Sequence, residues 1–242
     1  MIISPYLVIL RPRQWIKNLM LFFPSFLSGS LLSSCYISQT GIVSFISFCS
    51  VSSALYIFND LNDIERDVLH PIKCLRPLPA GNISKKRAIA IAAFLGLHGL
   101  LLAFIVVKPL IPYLFLYGLV TIVYTIWLKN IPLVDLFCIS SGFLIRLQAG
   151  GELFHVPISP WLFLTVFLLA VFLSTGKRLS ETHSLGDMAG EHRMSLAQYP
   201  LGFLDGTMYM TAGAVMVTYS MYALNRHTLI YSVPLCLFGL LR

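Results

Sequence analysis

Charge is what this chain has least of. Only 11% of its 242 residues are Asp, Glu, Lys or Arg, against about 25% in soluble domains, which excludes an ordinary water-soluble protein. Its five cysteines, Cys35, Cys49, Cys74, Cys138 and Cys236, are odd in number and show no Cys-x-x-Cys or other metal spacing, so they read as packing residues. No Pro/Gly/Ser-rich linker, low-complexity tract or strict repeat interrupts the sequence, and one domain over 1–242 is expected. The N-terminal apolar run lacks a basic segment before it and a small-residue cleavage site after it. The first helix is therefore expected to stay rather than be removed as a signal peptide.

What fills the chain is apolar. It is 57% hydrophobic with a mean hydropathy of +0.81, and a helical span needs about 20 apolar residues. Apolar blocks lie near 18–35, 41–58, 87–107, 110–128, 131–149, 160–176, 203–223 and 228–241, so an all-α polytopic transmembrane bundle of about eight helices is expected. The net charge of +7 does not point to nucleic acid, because the basic residues are spread over short segments between blocks. Arg11, Arg13 and Lys17 precede the first; Arg66, Lys73, Arg76, Lys85, Lys86 and Arg87 lie between the second and third; Lys129 follows the fourth; Lys177, Arg178 and Arg193 follow the sixth. The opposite connections hold only Lys108 and Arg226. The positive-inside rule then puts both termini, and the polar segments, on the cytoplasmic side of the cytoplasmic membrane.

One polar segment carries chemistry. Residues Asn59 to Asp67 read NDLNDIERD directly after an apolar run. If that segment is helical, Asn59, Asp60, Asp63 and Asp67 fall within an arc of about 100° while Glu65 points away. Three carboxylates this close repel unless a cation sits among them, and an all-oxygen donor set suits magnesium, which binds through a few carboxylates plus substrate phosphates. A magnesium diphosphate is the expected ligand. A charged, solvated helix start after a span is the plainer alternative.

Other polar groups gather near that segment or in a second polar stretch, 177–201. HPIKCLRPLPAG, residues 70–81, has three prolines and a glycine that prevent continuous helix and hold Lys73 and Arg76 near the carboxylates. There they would stabilise a leaving group or, alternatively, touch lipid headgroups. Arg146 lies inside the fifth block, where facing lipid would cost on the order of 3 kcal/mol, so it should face the interior or else snorkel to the interface. Asp135 shares its helix face but lies roughly 16 Å away by helical rise, too far to pair. GKRLSE brings Lys177, Arg178 and Glu181 together as a phosphate grip. Tyr124 and Lys129 are interfacial residues that would also reach a phosphate. His155, His183 and His192 show no ligand spacing.

These motifs resemble the UbiA-type intramembrane prenyltransferase superfamily, whose NDxxDxxxD motif is matched by Asn59, Asp60, Asp63 and Asp67. More narrowly, RPRQWIKN at 11–18, YIFNDLNDIERDVLHPIKCLRPLPAG at 56–81, VDLFCISSGFLIRLQAGG at 134–151 and GKRLSE at 176–181 resemble its decaprenyl-phosphate phosphoribosyltransferase branch. The resemblance implies a nine-helix fold, and this chain stops within its eighth apolar block. It also implies Mg2+ as cofactor and transfer of 5-phosphoribosyl from 5-phosphoribosyl 1-diphosphate to a polyprenyl phosphate.

In that reading Asn59, Asp60, Asp63 and Asp67 hold the metal, and Lys73, Arg76 and Lys129 offset charge on the diphosphate. Lys177 and Arg178, which stand where related aromatic prenyltransferases carry a second aspartate motif, bind the ribose 5-phosphate beside Glu181. Arg13, Lys17, Tyr124 and Arg146 position substrate phosphates. The lipid bilayer is itself a partner, nucleic acid is not, and a homo-oligomer is compatible with the sequence. The alternatives are prenyl transfer from a prenyl diphosphate to an aromatic acceptor, and non-catalytic binding of a lipid phosphate.

Overall fold

The structure is a computed structural model that describes residues 4–30, 35–185, 198–226 and 229–242. Among these the chain is helical and has no strand. Blocks two to eight each coincide with a helix: α3 (Cys35–Leu69), α4 (Lys85–Val106), α5 (Ile111–Ile126), α6 (Val134–Leu153), α7 (Pro160–Leu185), α8 (Phe203–Leu224) and α9 (Val233–Leu241). Four helical stretches, Gln39–Leu69, Lys85–Val106, Lys108–Ile126 and Pro160–His183, are long and apolar enough to cross a membrane. The chain is a multi-pass integral membrane protein.

The first block departs from expectation. After a short α1 (Pro5–Ile9), residues Pro12–Phe22 form a 3₁₀ helix, followed by the five-residue α2 (Phe23–Leu27). Hydropathy counts apolar residues and ignores backbone donors. Within this block Pro24 lacks an N–H and restricts the preceding residue, and Gly29 turns at φ +75°, so a single continuous span does not form here.

The two polar stretches, that of Asn59–Asp67 and that beginning at Lys177, are both at least partly helical. α3 continues through NDLNDIERD to Leu69, and α7 continues through GKRLSE to Leu185. A helix satisfies its backbone internally whatever its side chains, so its length is not limited by the apolar run. His192 and Arg193 lie outside the described residues.

The described residues form two compact units: Met1–Trp127 with Ile145–Val156, and Leu128–Leu144 with Pro157–Arg242. In the first, α3 packs along α4 and α5 around Phe48, Val51, Leu55, Ala103, Leu114, Tyr117 and, from α6, Ile145, Ala149 and Leu153. Two glycines set close approaches. A β-carbon on Gly99 of α4 would lie 2.8 Å from the Ser47 carbonyl of α3, and one on Gly150 would lie 2.1 Å from the Leu21 carbonyl. Backbones in lipid pack by such small-residue contacts, because there is no hydrophobic drive between helices there.

α4 starts at Ser84, whose Oγ accepts from the Arg87 N–H, a helix cap that satisfies one orphan donor. In the second unit α7 packs along α8. Buried Leu162, Val166 and Ala170 recur every four residues on α7, as Thr211 and Val215 do on α8.

Candidate active site

The expected helix face forms. Asn59, Asp60, Asp63 and Asp67 all lie on α3, and Glu65 is exposed, as its register requires. Asp60 and Asp67 are only 3% and 4% exposed, and burying two carboxylates is costly unless each is paired and hydrogen-bonded. Both are paired. Arg76 Nη1 donates to Asp67 Oδ2 at 2.6 Å and to Asp60 Oδ1 at 3.2 Å, and Arg11 Nη2 donates to the same Asp60 oxygen.

The four side chains on this face divide into two pairs. Asp60 and Asp67 meet, two turns apart on their helix, at the Arg76 guanidinium. Asp63 Oδ2 instead accepts from Asn59 Nδ2 at 3.1 Å, and Asn59 Oδ1 accepts from Thr125 Oγ1 at 3.3 Å. Among the described residues no three His, Cys, Asp or Glu side chains are placed to share a metal ion. The donor set still fits magnesium in kind, being one amide and three carboxylates on one helix face.

The cations are positioned by the backbone. Arg76 opens a turn closed by Ala80 N–H to the Arg76 carbonyl at 2.9 Å and Ile83 N–H to the Pro77 carbonyl at 3.2 Å, with Gly81 at φ +74°. That left-handed conformation favours glycine. His70 Nδ1 accepts from the N–H groups of Ile72 (3.1 Å) and Lys73 (3.3 Å), ordering the exit of α3.

Arg11 was not legible as a partner of this carboxylate face. It joins α1 to the 3₁₀ segment at φ +53°, and its guanidinium lies 5.4 Å from the Tyr56 ring centroid as well as on Asp60. A bulky residue held left-handed is uncommon and tends to mark a functional constraint. Its only sequence signal was its place in RPRQWIKN.

Of the other expected residues in this unit, Arg13 is exposed, while Lys17, Lys73 and Tyr124 are half-buried. Arg146 faces the interior and does not snorkel. It is 3% exposed, its Nε donates to Asn18 Oδ1 at 2.7 Å, and its guanidinium stacks 4.3 Å from the Tyr117 ring centroid. Asn18 in turn donates to Ser52 Oγ at 3.3 Å.

The second unit holds a separate buried ion-pair group. Arg178 is 1% exposed, with Nε donating to Asp135 Oδ2 at 2.8 Å and Nη1 to Glu181 Oε2 at 2.6 Å. This differs from the open phosphate grip expected of GKRLSE: Arg178 lies inside, and Lys177, 3.9 Å from Glu181 Oε1, is the exposed member with a side chain 66% accessible. Tyr199, which sequence reasoning passed over, donates from its hydroxyl to Asp135 Oδ1 at 3.2 Å and accepts from the Leu133 N–H at 2.8 Å. Burial, with the Asp135 charge beside it, raises its pKa, keeping the hydroxyl protonated as a donor. Lys129, on the 3₁₀ turn Leu128–Asn130 of this unit, is buried.

Comparison with known proteins agrees with this architecture. A decaprenyl-phosphate phosphoribosyltransferase from Mycolicibacterium smegmatis is 33% identical over 228 residues, 93% of this chain and 72% of its own length. One from Mycobacterium tuberculosis is 33% identical over 220 residues, 90% of this chain and 73% of its own length. A UbiA homologue from Archaeoglobus fulgidus, solved bound to DMAPP and Mg2+, superposes with a TM-score of 0.79 at 19% identity, covering 98% of this chain and 85% of that one. The model of the UbiA prenyltransferase family matches residues 21–242, and the chain, an integral membrane transferase, belongs to that family.

Proposed function

We propose that this protein transfers 5-phosphoribosyl from 5-phosphoribosyl 1-diphosphate to a polyprenyl phosphate, releasing diphosphate, on the cytoplasmic side of the cytoplasmic membrane. The observation that carries the reading is the 33% identity over 93% of the chain to a relative named for that reaction, together with the α3 carboxylates and the guanidiniums of Arg11 and Arg76 paired with them. Asn59, Asp60, Asp63 and Asp67 are the residues that would hold magnesium, which supplies charge neutralisation on the departing diphosphate.

The chain's own cations do the rest. Arg76, Lys73 and Lys129 offset charge that grows on the leaving group as the bond to ribose C1 breaks. Lys177 binds the 5-phosphate, with Arg178 behind it fixing Glu181, and Arg13, Lys17 and Tyr124 position phosphate oxygens. Arg146, through Asn18, holds the 3₁₀ segment that carries Lys17. The lipid phosphate is already an anion at neutral pH, so it attacks C1 without a general base. A new C1–O bond forms as the C1–diphosphate bond breaks, and the configuration at C1 inverts.

Lys177→Ala tests the donor assignment. It should raise KM for the phosphoribosyl donor about tenfold while changing kcat less, the pattern of a lost phosphate contact remote from the reacting atoms. An unchanged KM would remove Lys177 from the site. The second reading, prenyl transfer from a prenyl diphosphate to an aromatic acceptor, is favoured by the fold neighbour solved with DMAPP and Mg2+. It requires turnover in the absence of any phosphoribosyl donor.

A further inference from the structure

We infer that Arg11 and Arg76 make metal and diphosphate binding mutually dependent: the two guanidiniums hold Asp60 and Asp67 against a bare cation and exchange these carboxylates for diphosphate oxygens when the anion arrives with its metal. The inference rests on the reading that the Asp60 face of α3 takes a magnesium diphosphate, and it holds for a phosphoribosyl or a prenyl donor alike.

The geometry sets the competition. One nitrogen of Arg76 bridges Asp60 and Asp67, and Arg11 is on the same Asp60 oxygen. A divalent ion entering among these carboxylates meets two positive groups within hydrogen-bond distance of its own ligands, and like charges at that separation repel strongly away from bulk water. To bind alone it must take an almost fully buried carboxylate from a guanidinium, either Asp60 from Arg11 or one of the two carboxylates that Arg76 bridges. The Arg11 and Arg76 side chains are only 22% and 31% exposed, so water compensates them incompletely.

A diphosphate changes the balance. Its oxygens accept from guanidiniums in the same forked geometry that carboxylates offer, so both arginines keep an anionic partner while Asp60 and Asp67 are released to the metal. The exchange requires side-chain rotation only. The Arg76 backbone stays pinned by its N–H to the Lys73 carbonyl at 3.0 Å and by the Ala80 N–H to its own carbonyl at 2.9 Å. Linkage then demands reciprocity, with diphosphate raising metal affinity by the factor by which metal raises diphosphate affinity.

The test uses the full chain in phosphatidylcholine nanodiscs. Binding of Mn2+ alone is read by loss of its free EPR signal, and binding of radiolabelled inorganic diphosphate at saturating Mg2+ is read by equilibrium dialysis. Arg76→Gln should tighten Mn2+ alone by about tenfold and weaken diphosphate retention by about tenfold, a factor typical of site coupling. Arg76→Lys, which keeps the charge, should leave Mn2+ binding close to that of the parent.

Arg11→Gln should show the same opposed pair of changes and serves if the Arg76 variant fails to fold. Both affinities falling together, or Mn2+ binding unchanged in both glutamine variants, overturns the exchange. A parent protein that retains no diphosphate with Mg2+ overturns the functional reading itself. Retention by the parent without opposed changes in the variants overturns the exchange alone.

Discussion

Asp60→Asn should lower turnover by about 10²- to 10³-fold, the loss typical of removing one preorganised group that stabilises transition-state charge. Asp60 is where the charges of the site concentrate, since its Oδ1 receives both Arg11 and Arg76. The amide keeps the shape of the side chain and removes its charge. The fold should survive, because the amide oxygen can still accept from Arg11 and Arg76 in place of the carboxylate and Asp67 still accepts from Arg76. Turnover at saturating substrate, with a size-exclusion profile as the folding control, measures the effect. Glu65→Gln, two residues before Asp67 on the same helix but exposed, should stay within about twofold of the parent, as surface changes do. Equal losses at Asp60 and Glu65 would mean that segment charge, and not the buried face, matters.

Asp135→Ala carries the second large effect, on stability. Asp135 and Arg178 are essentially inaccessible, at side-chain exposures of 0% and 1%. Removing one partner of such a pair costs about 3–5 kcal/mol, because the other charge stays buried with its desolvation uncompensated. Tyr199 loses its acceptor at the same time, although its link to Leu133 remains. The combined change Asp135→Leu with Arg178→Met should recover most of the loss, since apolar replacement of a whole buried pair is often neutral. Thermal unfolding in detergent decides it. A midpoint for Asp135→Ala equal to that of the parent would show that Glu181 alone suffices to hold Arg178.

Local pattern made the shared polar face of α3 readable in advance. Asn59, Asp60, Asp63 and Asp67 share a face because the helix period is fixed, and Arg76 comes close because the prolines of HPIKCLRPLPAG force the chain to turn back after α3. What stayed hidden depends on partners distant in sequence. Arg11 reaches Asp60 across 49 residues, and Arg178 reaches Asp135 across 43, and no periodicity within a single segment reports such pairs. Asp135 was weighed only against Arg146, its neighbour on the same helix, whereas the fold gives each its own partner, Arg178 for one and Asn18 for the other.

The first apolar block shows the converse error. Hydropathy is blind to the missing N–H group of Pro24 and to the left-handed turn at Gly29, so the described part of a run that scores as a span folds as the end of a 3₁₀ segment and a short helix. That irregular segment is what carries Arg11 to the carboxylates.

The most direct measurement incubates the purified protein in lipid vesicles with Mg2+, 5-phosphoribosyl 1-diphosphate labelled in the ribose, and a polyprenyl phosphate, then follows the label into the organic phase. The expected result is labelled lipid that requires both Mg2+ and the polyprenyl phosphate and is lost in Asp60→Asn. Ribose label that stays in the aqueous phase, while a prenyl diphosphate and an aromatic acceptor turn over in the same vesicles, would contradict phosphoribosyl transfer and assign prenyl transfer to this site instead.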